Sequence, residues 1–336
     1  MSLKDQLAAY LTRIWETPVG IEGLARISGG ASRETYRFEA VTGETRQPLI
    51  LRRDPPGSLI ETDRLLEYEA IRSFQSDDVP APVPVALETE GAELERPFFI
   101  MKRILVGAAS SPFMPNAFGD HAEAIGEQFF GILGRIARAD PATLPVGAVS
   151  EAPALDQCWK RELDYWSGVI EADEMHPQPI VRAAIRRLYA NPPPPAAKIS
   201  VVHGDYRPGN FLHDGAGRIT AILDWEMAHL GDPLEDFGWA TDPLWSSGYP
   251  ATVSGMIPRE RAIALWEAAS GLKMDRQAMA WWDLFASVKG QAIWTSSAKE
   301  WVDGGFREPI LAFSGWFTAR RHDEILAERL CALEGL

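Results

Sequence analysis

The hydrophobic pattern of this chain changes near Gly107, and that change limits the folds that the sequence can adopt. Before it, short apolar runs alternate with turn-forming residues, a pattern that predicts β-strands. The predicted strands cover residues 24–28, 35–40, 49–53, 83–87 and 98–104. Between the third and the fourth, apolar residues recur at helical spacing from Ser58 to Phe74 and predict a helix. We therefore expect a small five-stranded antiparallel sheet plus one helix in the N-terminal part.

Beyond Gly107, long helical patterns dominate the sequence. They cover residues 120–139, 155–172, 179–190, 259–269, 276–300 and 309–333. One β-rich stretch, which follows the proline run at 191–195, interrupts these helices. The sequence therefore predicts an α+β protein with two parts, residues 1–105 and a larger, mainly helical part at residues 106–336.

Composition and charge exclude several classes of protein. The chain has 336 residues, of which 46% are hydrophobic, so it can form a globular core and is not mainly disordered. Its net charge of −14 argues against a surface that neutralises a phosphate backbone, and we expect no nucleic-acid partner. Cys158 and Cys331 are too few for a disulfide framework. We also expect no signal peptide, no membrane span and a cytoplasmic location.

The β-rich stretch carries the residues with the most distinctive chemistry. One predicted strand ends in HGDYRPGN at 203–210, and the next ends in DWE at 224–226. The glycines and the proline favour a tight turn that brings Asp205 and Asn210, five positions apart, towards one point. Taken singly, these residues and Asp224 can each cap a turn. Together they supply the oxygen ligands that Mg²⁺ prefers and a carboxylate that can accept a hydroxyl proton, which favours phosphoryl transfer.

A second interpretation of the same region is a metal-dependent hydrolase. The nitrogen and oxygen donors that would build its site are His203, Asp205, His213, Asp224 and His229. Neither an HExxH pattern nor a matched histidine pair accompanies them in the sequence. Metal analysis of the purified protein distinguishes the two interpretations, because a hydrolase site retains Zn²⁺ or Mn²⁺.

The motifs of this stretch resemble those of the aminoglycoside phosphotransferase-like kinases, which share the protein kinase fold. HGDYRPGN resembles the catalytic loop of that family, ILDWE at 222–226 resembles its metal-binding segment, and GDPLEDFGWA at 231–240 resembles the acidic helix start that follows. The resemblance implies a two-lobed protein-kinase-like fold with a hinge at residues 101–105. It implies that Asp205 is the catalytic base and that His203 braces the catalytic loop.

The resemblance also implies a role for further residues. Asn210 and Asp224 would hold Mg²⁺, while Asp232 and Asp236 would cap a helix. A loop between the first two strands would cover the phosphates of ATP or GTP. That loop consists of Ser28, Gly29, Gly30, Ala31 and Ser32.

The remaining nucleotide contacts would come from the third strand, the first helix and the hinge. Arg52 stands where this fold usually has a lysine, and its planar guanidinium group can bind phosphate oxygens. Glu69 matches the place of the acidic partner of this cation, while we expect Glu67 to point away from it. Met101 would line the adenine pocket, and the backbone from Lys102 to Ile104 would bond to the base.

The function implied by the resemblance is an ATP- and Mg²⁺-dependent small-molecule kinase that phosphorylates a hydroxyl group. The stretches at 28–38 and 51–57 look most like the branch of the family found beside, or fused to, acyl-CoA dehydrogenases. This favours a hydroxyacyl thioester over an aminoglycoside as acceptor. Because Arg52 departs from the usual lysine, a non-catalytic nucleotide-binding pseudokinase stays open as an alternative.

Overall fold

The computed structural model describes residues 1–27, 33–54, 63–76, 78–114, 116–246, 249–304 and 308–334. Its N-terminal part contains a five-stranded sheet in the order β1-β2-β3-β5-β4, in which all neighbouring strands pair antiparallel. The strands are β1 (Gly20–Ile27), β2 (Glu34–Thr42), β3 (Thr45–Arg53), β4 (Pro84–Glu88) and β5 (Phe98–Lys102). The predicted antiparallel sheet is therefore confirmed.

Two helices cover the two faces of this sheet. Helix α1 (Leu3–Trp15) begins at a capping box formed by Ser2 and Asp5, and it shares an apolar core with Leu49 and Leu51 of β3. Helix α2 (Arg64–Ser73) lies on the opposite face, where Ile50 and Arg52 also lie because neighbouring side chains on a strand alternate. The sequence analysis predicted α2 but missed α1.

The C-terminal part is mainly helical, as predicted. Its helices are α3 (Ala122–Arg138), α4 (Cys158–Asp173), α5 (Pro179–Ala190), α6 (Leu234–Ala240), α7 (Arg259–Ser270), α8 (Arg276–Asp303), α9 (Pro309–Phe313) and α10 (Ala319–Glu334). The predicted helix at 309–333 is interrupted by one turn of π-helix at Ser314–Thr318. Helix α8 is buried along most of its length. Within the described ranges, no helix combines the length and the apolar character that a membrane span needs.

Two short antiparallel strand pairs hold the distinctive loops in the C-terminal part. Strand β6 (Ser200–Val202) pairs with β9 (His229–Gly231), and β7 (Phe211–His213) pairs with β8 (Ile219–Ile222). HGDYRPGN therefore connects β6 to β7, and the DWE segment connects β8 to β9. The N–H of Leu223 donates to the carbonyl of Asn210 at 2.8 Å, which links the two loops directly.

The domain boundary at residue 105 stays a prediction.

Candidate active site

His203 fixes the start of the catalytic loop. Its ring is fully buried, and its Nε2 lies 2.9 Å from the carbonyl oxygen of Leu223, while its Nδ1 accepts the N–H of Asp205 at 3.1 Å. Because the carbonyl can only accept, the ring hydrogen is on Nε2. Burial lowers the pKa of His203 to about 4, so the ring is neutral at physiological pH. The arrangement agrees with the predicted bracing role.

Gly204 allows the loop to turn sharply beneath the DWE segment. Its φ is +83°, and a Cβ atom there would lie 2.2 Å from the carbonyl oxygen of Met227, so a larger residue does not fit. Asp236 accepts the N–H groups of His203 and Gly204 at 2.6 and 2.9 Å. It does not cap its own helix as predicted, because it lies buried within α6 and faces the loop.

Three donors hold the carboxylate of Asp205. Oδ1 accepts from Nε of Arg207 at 3.0 Å and from the indole N–H of Trp239 at 2.8 Å. Oδ2 accepts from the side-chain amide of Asn210 at 2.5 Å. The loop therefore brings the predicted base and one predicted metal ligand into direct contact. Neither Arg207 nor Trp239 was predicted. The Trp239 contact joins positions 34 residues apart, whereas Arg207 lies in the motif itself, two positions from Asp205, and could have been recognised there.

Arg52 connects the sheet to the DWE segment. Its Nη2 donates to Asp224 Oδ1 at 2.7 Å and to Glu226 Oε2 at 3.2 Å. Its Nη1 lies 3.2 Å from Oε1 of Glu67, whose side chain is fully buried. Asp224 has a φ of +65°, a left-handed conformation that is rare outside glycine and common at functional sites. The predicted metal ligand and the predicted phosphate-binding cation are thus paired.

Charge and burial shift the pKa values of both carboxylates in this segment. Burial alone would raise the pKa of Asp224, but the Arg52 guanidinium holds it below its usual value. Burial and the neighbouring charge of Asp224 raise the pKa of Glu226 to about 7, although Arg52 partly offsets them. Glu226 belongs to the DWE run, so its part in the site could have been read from the sequence.

The prediction that Glu69 is the acidic partner of Arg52 is wrong. Glu69 pairs with Arg72 at 2.6 Å, whereas Glu67 faces Arg52. Helix α2 buries Glu67 together with Ala70, Ile71 and Phe74, which follow at three, four and seven positions. Glu69 is buried as well, but Glu67 is the glutamate whose carboxylate reaches Arg52. Arg33 also contributes, with Nε 3.8 Å from Glu226 and Nη2 3.9 Å from Glu67.

A cleft of about 590 Å³ brings these groups together. Residues from both parts of the chain line it, including Arg52, Met101, Asp205, Asn210 and Asp224. Met101 therefore reaches the cleft, and its contact with adenine stays a prediction.

The other predicted nucleotide contacts have different outcomes. The backbone N–H of Lys102 donates to Val83 at 2.8 Å and that of Arg103 donates to Pro48 at 3.0 Å. These two N–H groups are therefore already used within the protein. The contact of the backbone from Lys102 to Ile104 with the base stays a prediction, in which Lys102 and Arg103 would offer their carbonyl groups. The phosphate-covering loop from Ser28 to Ser32 lies outside the described residues.

The donor set of a metal hydrolase is not assembled within the described part of the chain. Two groups of acidic and histidine side chains there are close enough to share an ion: Glu162 with His229 and Glu235, and Glu67 with Asp224 and Glu226. Each contains one of the five donors that the hydrolase interpretation requires. Both ring nitrogens of His203 are engaged by backbone groups, and His213 Nε2 lies 2.7 Å from the Ser110 hydroxyl.

Comparisons with known proteins agree with this geometry. A family model described as the phosphotransferase enzyme family matches residues 23–287. The chain belongs to this family. Acyl-CoA dehydrogenase family member 10 of Mus musculus is 26% identical over 247 residues, which cover 70% of this chain and 22% of that protein. Probable acyl-CoA dehydrogenase IBR3 of Arabidopsis thaliana is 23% identical over 307 residues, which cover 84% of this chain.

The chain spans 36% of the length of the Arabidopsis protein, so both of these relatives are much longer. Viomycin phosphotransferase of Streptomyces vinaceus is 28% identical over 174 residues, which cover 50% of this chain and 58% of that protein. The family therefore supports a small-molecule phosphotransferase.

Solved structures confirm the fold class. A presumed aminoglycoside phosphotransferase of Ralstonia eutropha superposes with a TM-score of 0.75 at 20% identity, and 97% of each chain is covered. A thermostable variant of aminoglycoside phosphotransferase APH(4)-Ia, in a ternary complex with ADP and hygromycin B, gives a TM-score of 0.58 at 18% identity. That match covers 96% of this chain and 98% of the other. The predicted kinase-like fold is confirmed.

Proposed function

We propose that this protein is an ATP- and Mg²⁺-dependent phosphotransferase that moves the γ-phosphoryl group to a hydroxyl of a small molecule. The observation that carries the proposal is the meeting of Asp205, Asn210 and Asp224 in one cleft with Arg52. A kinase of this kind needs a base, oxygen donors for a metal and a cation for the phosphates, and these four side chains have the chemistry for those roles.

The oxygen donors fit Mg²⁺. Asn210 gives its amide N–H to Asp205, so the atom that it can offer a cation is its carbonyl Oδ1. Asp224 offers a carboxylate that Arg52 keeps ionised. A hard cation prefers such ligands, together with phosphate oxygens and water. When bound, Mg²⁺ would neutralise charge on the phosphates during transfer.

Side chains of the protein would accept the hydroxyl proton and bind the phosphates. Asp205, held by Asn210, Arg207 and Trp239, accepts the proton of the attacking hydroxyl. The planar guanidinium group of Arg52, which now pairs with two carboxylates, can instead form hydrogen bonds with phosphate oxygens of a bound nucleotide. Positioning and charge compensation supply most of the acceleration in such reactions.

For the acceptor, we favour a hydroxyacyl thioester over an aminoglycoside. The charged residues that line the described cleft are Arg33, Arg52, Arg207, Asp205, Asp224 and Glu226. Three positive and three negative side chains leave no surplus of carboxylates to attract a polycation. The names of the longer relatives, which include acyl-CoA dehydrogenases, support the same choice.

Thermal unfolding with different ligands tests the nucleotide and metal requirements. Mg·ATP at a hundred times its dissociation constant should raise the free energy of unfolding by about 2.7 kcal/mol, whereas ATP with EDTA should raise it much less. Asp224→Asn should remove the metal dependence. Asp214→Asn is a matched control, because Asp214 caps the exposed hairpin turn and an asparagine retains the accepting Oδ1.

Each contrary outcome removes a different part of the proposal. The absence of any rise with Mg·ATP or Mg·GTP would contradict the kinase site. An equal rise with EDTA would show that Asp224 and Asn210 do not hold a metal. A rise without phosphoryl transfer to any hydroxyacyl thioester, simple alcohol or aminoglycoside would instead favour the non-catalytic alternative.

A further inference from the structure

Four aromatic side chains meet beside the cleft, and we call them the aromatic cluster. They are Phe113, Trp245, Phe313 and Phe317. The Phe113 ring centroid lies 5.6 Å from that of Phe313, 6.1 Å from that of Phe317 and 6.2 Å from that of Trp245. The rings of Phe313 and Phe317 stack at 5.0 Å. Three segments that are distant in the sequence therefore build one aromatic surface.

This cluster is continuous with the catalytic groups. Phe113, Trp245 and Phe313 line the same cleft as Asp205. The guanidinium of Arg207 lies over the Trp245 ring at 5.0 Å, and its Nε donates to Asp205 at 3.0 Å. An acceptor that reaches Asp205 through this part of the cleft would therefore contact aromatic rings.

Two rings of the cluster are open to solvent, whereas Phe113 is half-buried and Trp245 is buried. Phe313 is 39% exposed and Phe317 is 53% exposed. A contiguous exposed apolar patch on a soluble protein commonly marks a binding surface. Covering these rings with an apolar group would release the water around them and favour binding.

The cluster also borders a second cavity. Phe113 and Phe317 line this outer cavity of about 680 Å³, together with Pro243 and Leu244. Phe113 is thus shared by the outer cavity and the catalytic cleft. An elongated acceptor can continue from the reacting hydroxyl across the cluster without leaving the protein surface.

We propose that the aromatic cluster is the subsite for an apolar segment of the acceptor and sets the enzyme's preference for acceptors with a long alkyl or aryl portion. The proposal rests on the proposed function, because it places the reacting hydroxyl at Asp205. Phe313 and Phe317 are specificity-determining residues in this account, and Arg207 joins their surface to the base.

Binding of a homologous acceptor series tests the proposal. The probes are N-acetylcysteamine thioesters of hydroxyhexanoic, hydroxyoctanoic and hydroxydecanoic acids, titrated by calorimetry into the Mg·ADP complex. A fully covered methylene strengthens binding about fourfold, so affinity should rise by up to roughly fifteenfold for each two-carbon step. Phe313→Ala and Phe317→Ala should flatten this dependence on chain length. Trp316→Ala is the control, because Trp316 is 78% exposed and is not part of the cluster.

Several results would overturn the proposal. Equal affinity for all three thioesters in a protein that binds Mg·ATP would reject the apolar subsite and leave the proposed function standing. Failure to bind Mg·ATP would remove the proposed function and this inference together. A dimer that Phe317→Ala dissociates, with acceptor affinity unchanged, would show that the patch is instead a contact between two copies of the chain.

Discussion

Two groups of buried charges contact the segments that carry the candidate catalytic residues, and they are built differently. The first, the arginine cluster, consists of Arg33, Arg52, Arg64, Glu67, Asp224 and Glu226. The second, the lysine cluster, consists of Glu162, His229, Glu235 and Lys289. In the arginine cluster, Arg52 divides its contacts among three carboxylates and lines the cleft.

In the lysine cluster, each cation also holds a backbone carbonyl. Lys289 donates to the carbonyl of Gly204 at 2.6 Å and to Glu235 at 2.8 Å. His229 Nδ1 lies 3.0 Å from the carbonyl oxygen of Met227, and its Nε2 lies 3.1 Å from Glu235. These contacts fix the catalytic loop and the segment after DWE.

The difference shows that buried ion pairs can serve either ligand binding or the positioning of loops. Under the proposed function, Mg²⁺ and phosphate would replace contacts within the arginine cluster, because Arg52 and Asp224 line the cleft. The contacts of the lysine cluster connect two loops to α6 and α8. Mutations in the arginine cluster should therefore change both nucleotide binding and stability, whereas loss of charge in the lysine cluster should change stability and leave nucleotide binding unaffected.

The largest expected effect distinguishes two glutamates on one helix. Glu67→Gln removes a fully buried charge that faces Arg52 and Arg64, and it should lower the free energy of unfolding by about 3 kcal/mol and weaken Mg·ATP binding. Glu69→Gln breaks the pair with Arg72, whose guanidinium is exposed to water, and should cost less, on the order of 1 kcal/mol. Urea unfolding and calorimetry measure both. Equal effects of the two substitutions would contradict the assignment of Glu67.

A smaller effect should come from the lysine cluster at alkaline pH. Burial alone would lower the pKa of His229, but the facing carboxylates of Glu162 and Glu235 raise it to about 9. Because the folded-state pKa lies above the unfolded value, this contribution is complete below about pH 6.5 and is lost as the pH rises through 9. Urea unfolding should show a loss of about 2 kcal/mol from pH 7 to pH 9.

His229→Gln separates this loss from other titrations, because the variant should show a flatter decline over the same range. If the wild type and the variant lose the same stability between pH 7 and pH 9, His229 does not carry the effect. The test leaves the arginine cluster unchanged, so it also shows whether the two clusters act independently.

The sequence predicted the parts of the site that depend on local pattern. HGDYRPGN and DWE are contiguous, and the alternation of β3 correctly grouped Ile50 with Arg52. Glu67 was missed because the position of a residue on a helix depends on where the helix packs, and α2 begins at Arg64 rather than near Ser58.

The parts that the sequence did not predict depend on tertiary contacts. The aromatic cluster joins residues 113, 245, 313 and 317, and no spacing rule connects such distant positions. The contact between Trp239 and Asp205 depends on how α6 packs behind the catalytic loop. Helix α1 was missed although Ser2 and Asp5 form a capping signal that can be recognised in the sequence.

The role of Asp205 as the base of a phosphotransferase is tested by comparing Asp205→Asn with the wild type. Phosphoryl transfer is followed as ADP release with the best hydroxyl acceptor, and Mg·ATP affinity is measured separately by calorimetry. If Asp205 is the base, transfer should fall by about 10²- to 10⁴-fold while Mg·ATP affinity changes little. Transfer at the wild-type rate in Asp205→Asn, with Mg·ATP still bound, would contradict this role.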